Sequence, residues 1–403
     1  MHVTAKASGR RGRFVVAIAS SHMASGRNVM RGVSATALRL GWRFEMIDAA
    51  LTWMDLTQYR PVFERAEGAI VRGAAFVEKA VPMLPPGVPL VAVDADAEIA
   101  GNAASAPWGC VMGDQRRIGE AAAEELLATG RQCFAFVPML RHFTWTKPRG
   151  DAFAAAVRAA WREARLYHPR TDWDWIAERR AMAQWLFSMP RPFGLFAGND
   201  ILAKFALDAC REAGLRVPYD VAIVGADDDE TLCLSTSPTL SSVRIDFEGA
   251  GRMAAERLDA LMGRPRPRRR ALWRYGVVGV ARRGSTLPSD PGVDSRVAAG
   301  LDFISLHYAD PFIGVQDVAA AMGTGRRKAE RLFAATGRTI RGHIEDRRLE
   351  EVRAMLRGTD AAVKEIASRC GFSSDIYLSL LFRRRFGLSP GAWRRRNPAA
   401  STP

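Results

Sequence analysis

The chain has 403 residues, 48% of them hydrophobic and 25% charged, so neither wholesale disorder nor a membrane protein is indicated and two or three domains are expected. Its net charge of +15 is unevenly placed: residues 264–403 carry 27 Lys and Arg against 13 Asp and Glu, whereas residues 1–263 carry 31 against 30. The last third is therefore either a solubilising surface or a polyanion-binding module attached to a nearly neutral one.

The chain opens on a basic tail, residues 1–13, containing Lys6, Arg10, Arg11 and Arg13. The apolar run that follows, Phe14 to Ala19, is shorter than the ~7–15 residues of a secretory signal, so it reads as a first buried strand. No stretch approaches the ~18 apolar residues of a membrane span. The five cysteines, Cys110, Cys133, Cys210, Cys233 and Cys370, are never closer than 23 residues, offering neither a zinc site nor a disulfide framework. They fit a reducing, cytoplasmic setting. The six histidines show no metal-ligand spacing, and no cofactor is expected.

From residue 14 to about 262, short apolar runs alternate with longer segments of helical period. "FVVAIAS" (14–20), "GAIVR" (68–72), "PLVAVD" (89–94), "CFAFVP" (133–138), "FGLFAG" (193–198) and "VAIVGAD" (221–227) read as buried parallel strands. Segments 28–41, 116–130, 150–164 and 199–214 space apolar residues by three and four and mostly stop at glycine, as helices do. Repeated strand-helix units predict a doubly wound α/β architecture. In such sheets ligands meet the carboxyl ends of the strands. That rule selects Ser21 and His22 after the first strand, Asn199 and Asp200 after "FGLFAG", and Asp227, Asp228 and Asp229 after "VAIVGA", and Arg27 is taken with the first group. Amides and carboxylates there suit a ligand rich in hydroxyls. Equally, Asn199 or Asp200 could cap the next helix and the aspartates could be solvated.

Residues 194–262, with "DQRRIGEAAAEELLATGRQCFAFV" (114–137), "RGDAFAAAV" (149–157) and "RRGST" (282–286), resemble the effector-binding domain of LacI/GalR-type repressors. The resemblance implies a periplasmic-binding-protein-like domain over 14–286, two lobes joined by crossover strands, with a sugar between them. Carried over by position, Arg149, Asn199 and Asp227 are the polar ligand-gripping residues. Trp145 is either core or a platform for a sugar face. Gln115 departs from the family's asparagine, and only about thirteen residues stand where a DNA-reading headpiece would be.

The last third contains one pattern twice. Val318-Ala319-x-x-Met322-Gly323 and Ile366-Ala367-x-x-Cys370-Gly371 lie 48 residues apart, each followed by an arginine-bearing helix ending in Leu-Phe. A small residue four before the glycine lets two helices cross closely, and the glycine permits the turn, so each copy reads as a helix-turn-helix. Arg326, Arg327, Lys328 and Arg331 crowd the second helix of copy one, where arginine can pair with guanine edges or phosphates. Arg383 and Arg384 follow that of copy two and suit phosphates or water.

Residues 297–397, and above all "CGFSS" and "LFRRRFGLSPGAWR", resemble the AraC/XylS family of DNA-binding domains. The resemblance implies two helix-turn-helix subdomains joined by a long helix over 340–358. By position, Arg327, Glu330 and Arg331 would face bases in copy one, and Ser374, Asp375, Ile376, Ser379 and Leu380 would lie at the reading surface of copy two. Ile376 and Leu380 stand where polar residues are common, so copy two would read thymine methyls or little sequence. Gly325 replaces a serine cap. Residues 287–296 read as the linker, "GRPRPRRR" (263–270) as surface, and 398–403 as a tail.

Together these features predict a cytoplasmic transcription regulator, more an activator than a repressor, that binds double-stranded operator DNA. The family combination implies a small sugar effector, a pentose such as xylose, a homodimer, and RNA polymerase as the partner of an activator. A periplasmic sugar carrier would account only for the first two thirds. An enzyme with a DNA-binding arm would need a catalytic cluster that the sequence does not display.

Overall fold

The structure, a computed structural model, describes residues 12–49, 56–95, 108–139, 145–169, 174–265, 271–286, 295–358 and 361–396. Along the chain come β1 (Phe14–Ala19), α1 (Ala24–Leu40), β2 (Arg43–Asp48), α2 (Arg60–Phe63), β3 (Gly68–Arg72), α3 (Ala74–Ala80), β4 (Leu90–Val93) and β5 (Gly109–Gly113). Then follow α4 (Gln115–Leu127), β6 (Cys133–Val137), α5 (Thr146–Ala159), β7 (Glu163–Leu166), α6 (Trp175–Phe187), β8 (Phe193–Ala197), α7 (Asp200–Glu212), β9 (Val221–Ala226), α8 (Glu230–Leu234) and β10 (Ser241–Ile245). After α9 (Phe247–Leu261), β11 (Ala271–Tyr275) and β12 (Val277–Ala281) the chain is helical: α10 (Ser295–His307), α11 (Val315–Ala321), α12 (Arg326–Ala334), α13 (Ile340–Gly358), α14 (Val363–Arg369), α15 (Asp375–Phe386) and α16 (Pro390–Arg396).

Two compact units result: Met1–Gly113 with Asp246–Tyr275, and Asp114–Ile245 with Gly276–Pro403. The first holds a six-stranded sheet in the order β11-β5-β4-β3-β1-β2, parallel throughout. The second holds a sheet ordered β12-β10-β9-β8-β6-β7, parallel except for β12, which runs antiparallel on β10. Strand order reverses between β1 and β3 in the first sheet and between β6 and β8 in the second. Those are the switch points at which a doubly wound sheet opens a crevice for ligands.

All six strands read from the sequence are present, because helices cover both faces of the central strands and leave an unbroken apolar run as their signature. The sequence reading missed β2, β5, β7, β10, β11 and β12. Edge strand β2, "RFEMID", is half exposed and mixes charge with apolar residues, so it carries no such run. The helix expected over 150–164 ends at Ala159, and Glu163 and Ala164 belong to edge strand β7. Residues 263–265 are exposed; residues 266–270 and 287–294 of the expected surface and linker segments, most of the basic tail, and His142 lie outside the described residues.

The helical part has two cores that share α13. Val297, Ile304, Val318, Met322 and Phe333 pack with Ile340 and Ile344, while Ile366, Cys370, Leu378, Phe382 and Trp393 pack with Leu349, Val352 and Leu356. Each core is one helix-turn-helix with its supporting helix. The turn of the second needs its glycine twice over: Gly371 has φ +75, and a Cβ there would lie 2.5 Å from the Tyr308 carbonyl.

Candidate functional site

In the first unit the carboxyl ends of parallel strands gather a polar cluster. The Ser21 backbone N–H donates to Asp48 Oδ1 at 3.0 Å, and the Ser21 hydroxyl also bonds Asp48. Ser20 bonds His22 Nδ1. Arg27 folds back to donate to the carbonyls of Ser21 at 2.8 Å and His22 at 3.1 Å. At the ends of β3, β4 and β11, Arg72 lies 3.3 Å from Asp94, which also accepts from the Tyr275 hydroxyl at 2.7 Å. Ser21, His22 and Arg27 were named from sequence; Asp48, Arg72, Asp94 and Tyr275 were not. Arg72 and Asp94 were nevertheless the last residues of two strands already quoted, and the strand-end rule applied evenly would have found them.

In the second unit Arg149, on the first turns of α5, is buried. Its Nε and Nη2 donate to Gln115 Oε1 at 3.0 and 2.7 Å, and its Nη1 donates to the Gly198 carbonyl. The guanidinium lies over the Trp145 ring at 4.6 Å. Arg149 thus spans the switch between the segments that follow β6 and β8. It can sit there because Gly119 of α4 has no side chain: a Cβ would lie 2.2 Å from the Arg149 carbonyl. The Gln115 departure now has a physical role, as the amide that orients the arginine.

Asn199 Oδ1 accepts from the Leu202 N–H at 3.0 Å and caps α7, the structural alternative weighed for it. Asp227 and Asp228, directly after β9, have φ 107 and 54. Both are left-handed conformations that cost a non-glycine residue of the order of 1–3 kcal/mol and gather at functional sites. The Asp228 carboxylate is taken up by Arg283 at 2.7 Å and Arg244 at 3.1 Å. Beside it, Asp200 is buried and accepts from the Ser242 hydroxyl at 2.6 Å and the Asp229 N–H at 2.8 Å. Burial first, and then the neighbouring Asp227 charge, push its carboxyl well above the usual range.

Arg244 continues away from this loop. Its two terminal nitrogens donate to Glu351 of α13 at 2.9 and 2.5 Å, and Arg347 donates to the same carboxylate at 3.0 Å. Arg282 reaches Glu125 at 2.7 Å and Glu350 at 3.6 Å, and Thr239 bonds Asp302 of α10. Nothing in the sequence marked these pairs, which, Arg347–Glu351 apart, join residues more than 60 positions apart.

On the helical part, Arg326, Arg327, Lys328, Glu330 and Arg331 of α12 are all exposed while Ala329 and Phe333 turn inward. Arg326 and Glu330 form an exposed pair at 3.1 Å. Ser374 caps α15 through the N–H groups of Ile376 and Tyr377. Ile376 is 78% and Leu380 67% exposed, an apolar stripe one turn long beside half-buried Asp375 and Ser379 and exposed Arg383 and Arg384. Among the described residues no group of His, Cys, Asp and Glu could hold a metal ion, and no helix is long and apolar enough to cross a membrane.

Comparison with known proteins matches residues 123–286 to a periplasmic binding protein-like domain and residues 318–396 to a helix-turn-helix domain. The xylose operon regulatory protein of Haemophilus influenzae is 26% identical over 289 residues, covering 70% of this chain and 73% of the relative. That of Escherichia coli is 26% identical over 312 residues, 76% and 78% of the two chains. A solved structure of a xylose-binding transcription activator superposes with a TM-score of 0.56 at 24% identity, spanning 95% of this chain and 98% of the other.

Proposed function

This chain is a DNA-binding transcription regulator of the AraC family with a LacI-like, periplasmic binding protein-like sensor, homologous to xylose operon regulators, and on that premise we propose that its effector is a pentose such as xylose. Residues 14–286 form the sensor and residues 297–397 the DNA reader, with 287–296 between them. The protein works in the cytoplasm as a homodimer and activates transcription in contact with RNA polymerase.

The observation that carries the sugar reading is Arg149. It is a buried guanidinium fixed at a topological switch point by Gln115 and Gly198 and stacked on Trp145. A cation held against an aromatic face, with Asn199 and the strained Asp227 at adjacent strand ends, suits a ligand that offers both hydroxyls and an apolar ring face. Ser21, His22 and Arg27 hold strand-end positions in the first unit as further effector contacts, and in the second Asp228 acts by holding its loop through Arg283 and Arg244. A sugar shifts the regulator only as far as its affinities for the two states differ.

For DNA, α12 supplies base contacts through Arg327, Glu330 and Arg331, with Arg326 and Lys328 on phosphates. In α15, Ile376 and Leu380 meet thymine methyls, Ser374, Asp375 and Ser379 line the same surface, and Arg383 and Arg384 hold the backbone. The test is thermal denaturation of the full chain with a panel of pentoses, hexoses and sugar acids. A ligand at ~100 times its dissociation constant adds about 2.7 kcal/mol. One pentose should raise the melting temperature and lose that effect in Arg149→Ala and Asp227→Ala; a flat response across the panel would sink the sugar reading.

A further inference from the structure

A cavity of about 250 Å³ opens in the second unit between helix α4 and strand β12 on one side and helix α13 on the other. Six arginines and three glutamates contribute to its walls, and none of Arg149, Asn199 or Asp227 does. The charges are unequally matched. Arg117 is held by Glu124 at 2.7 Å, Arg282 by Glu125, and Arg244 and Arg347 share Glu351. Arg353 and Arg357, one turn apart on α13, form no ion pair among the described residues. They lie over the rings of Phe386 and Trp393 at 5.5 and 5.1 Å.

Two further observations point the same way. Arg347 keeps a buried Nε–H without a hydrogen-bond acceptor among the described residues, although buried donors are as a rule satisfied. The Arg357 guanidinium is pushed below its usual value, first by partial burial and then by the positive charges of Arg353 and Arg117, against the opposing pull of the Glu124 carboxylate. Arg117, Arg353 and Arg357 are each exposed, so an anion can reach them from solvent, and their mutual repulsion favours one between them. The guanidinium fork matches a phosphate in paired hydrogen bonds.

We propose that this cavity binds a small phosphate-bearing anion, either inorganic phosphate or the phosphate group of a sugar phosphate, through Arg117, Arg353 and Arg357. Its volume lies below the ~300–1,000 Å³ of sites for drug-sized ligands, which fits a compact anion and shuts out a DNA duplex. One wall belongs to α4 and β12 and the other to the helix that both helix-turn-helix motifs share. The bound anion therefore clamps the sensor lobe to the DNA reader and makes the regulator sensitive to a second, charged signal, whether or not a pentose is the first.

Titration calorimetry on the full chain, in phosphate-free chloride buffer at fixed ionic strength, tests this with inorganic phosphate, ribose 5-phosphate and ribose as probes. At least one phosphate-bearing probe should bind, and a preference between the two identifies the source. Arg353→Ala and Arg357→Ala should each weaken that binding roughly tenfold, the loss of a charge-assisted bond, while Arg396→Ala, at an exposed arginine elsewhere, leaves it unchanged. Absence of binding by both phosphates overturns the proposal, as does binding that survives in the Arg353→Ala/Arg357→Ala double variant. If the double variant instead loses DNA affinity with a shallower salt dependence and phosphate does not bind, the arginines serve the DNA backbone.

Discussion

Arg149 concentrates the argument at the scale of the residue. A buried guanidinium with three hydrogen bonds contributes to folding as well as to binding, so Arg149→Ala should lower the stability of the unliganded protein by ~1–3 kcal/mol and also remove the sugar response. Asp227 separates the two effects. Its φ of 107 strains an aspartate and not a glycine, so Asp227→Gly should gain about 1 kcal/mol in urea denaturation yet lose the sugar-induced shift. Loss of stability in that variant would show that the aspartate is there for folding. Asp200 gives a pH signature. Because its carboxyl is raised in the fold, the folded protein holds a proton that the unfolded chain releases. Stability should therefore fall as pH climbs above the ordinary carboxylate value of 3.8 toward the raised one. Asp200→Asn, which carries no such proton, should flatten that fall in urea midpoints measured from pH 4 to 8. Arg149 was named only by its position in the family resemblance, whereas Asn199 and Asp227 were selected in the sequence because each follows a strand that its apolar run betrays. Asp48 and Tyr275 were not, since they end strands whose own residues are half polar or half exposed.

At the scale of the element, α13 is the part that the sequence described least completely. Its role as the helix between two motifs was readable, but Glu351 is on its sensor-facing side and pairs with an arginine 107 residues earlier. Periodicity cannot report such a pairing. Both side chains are largely buried, and removing one partner leaves the other charge without its full complement. Because Asp228 still faces Arg244, Glu351→Ala should cost about 2 kcal/mol, less than the ~3–5 kcal/mol of a buried pair broken outright. Equilibrium unfolding checks this, and a change below ~0.5 kcal/mol would make the pair incidental. The recognition helices were the clearer case. Their duplicated spacing survives in α11–α12 and α14–α15, and the exposed arginines of α12 stand where the pattern put them. Arg327→Ala and Arg331→Ala should each cost ~1–3 kcal/mol of DNA affinity and relax sequence preference, whereas Arg384→Ala should weaken all sequences alike. Fluorescence anisotropy against a selected site and a scrambled one distinguishes them.

Across the whole molecule the excess positive charge is shared between the two parts of the chain: residues 14–286 carry 35 Lys and Arg against 30 Asp and Glu, and the much shorter residues 297–397 carry 18 against 11, so the helical part is the more densely basic. What composition could not convey is how the sheet of the second unit grips the helical part. The Asp228–Arg244–Glu351 chain runs from the strand-end loop beside Asp227 to the middle of α13, and Thr239–Asp302 and Arg282–Glu350 flank it. A change at the Asp227 loop thus has a contiguous set of charged contacts through which to bias the helix that positions both DNA-reading motifs. By linkage, a sugar that alters DNA affinity must itself bind differently to the DNA complex, by the same factor.

The measurement that bears most directly on this account is the affinity of the full chain for a DNA site obtained by in vitro selection, with and without a saturating pentose. The expected result is specific, salt-dependent binding that the sugar changes by at least ~5-fold, the lower range of measured allosteric couplings, with the change lost in Arg149→Ala. Specific binding that no pentose, hexose or sugar acid alters would contradict it, leaving a DNA-binding protein whose first two thirds answer to something else.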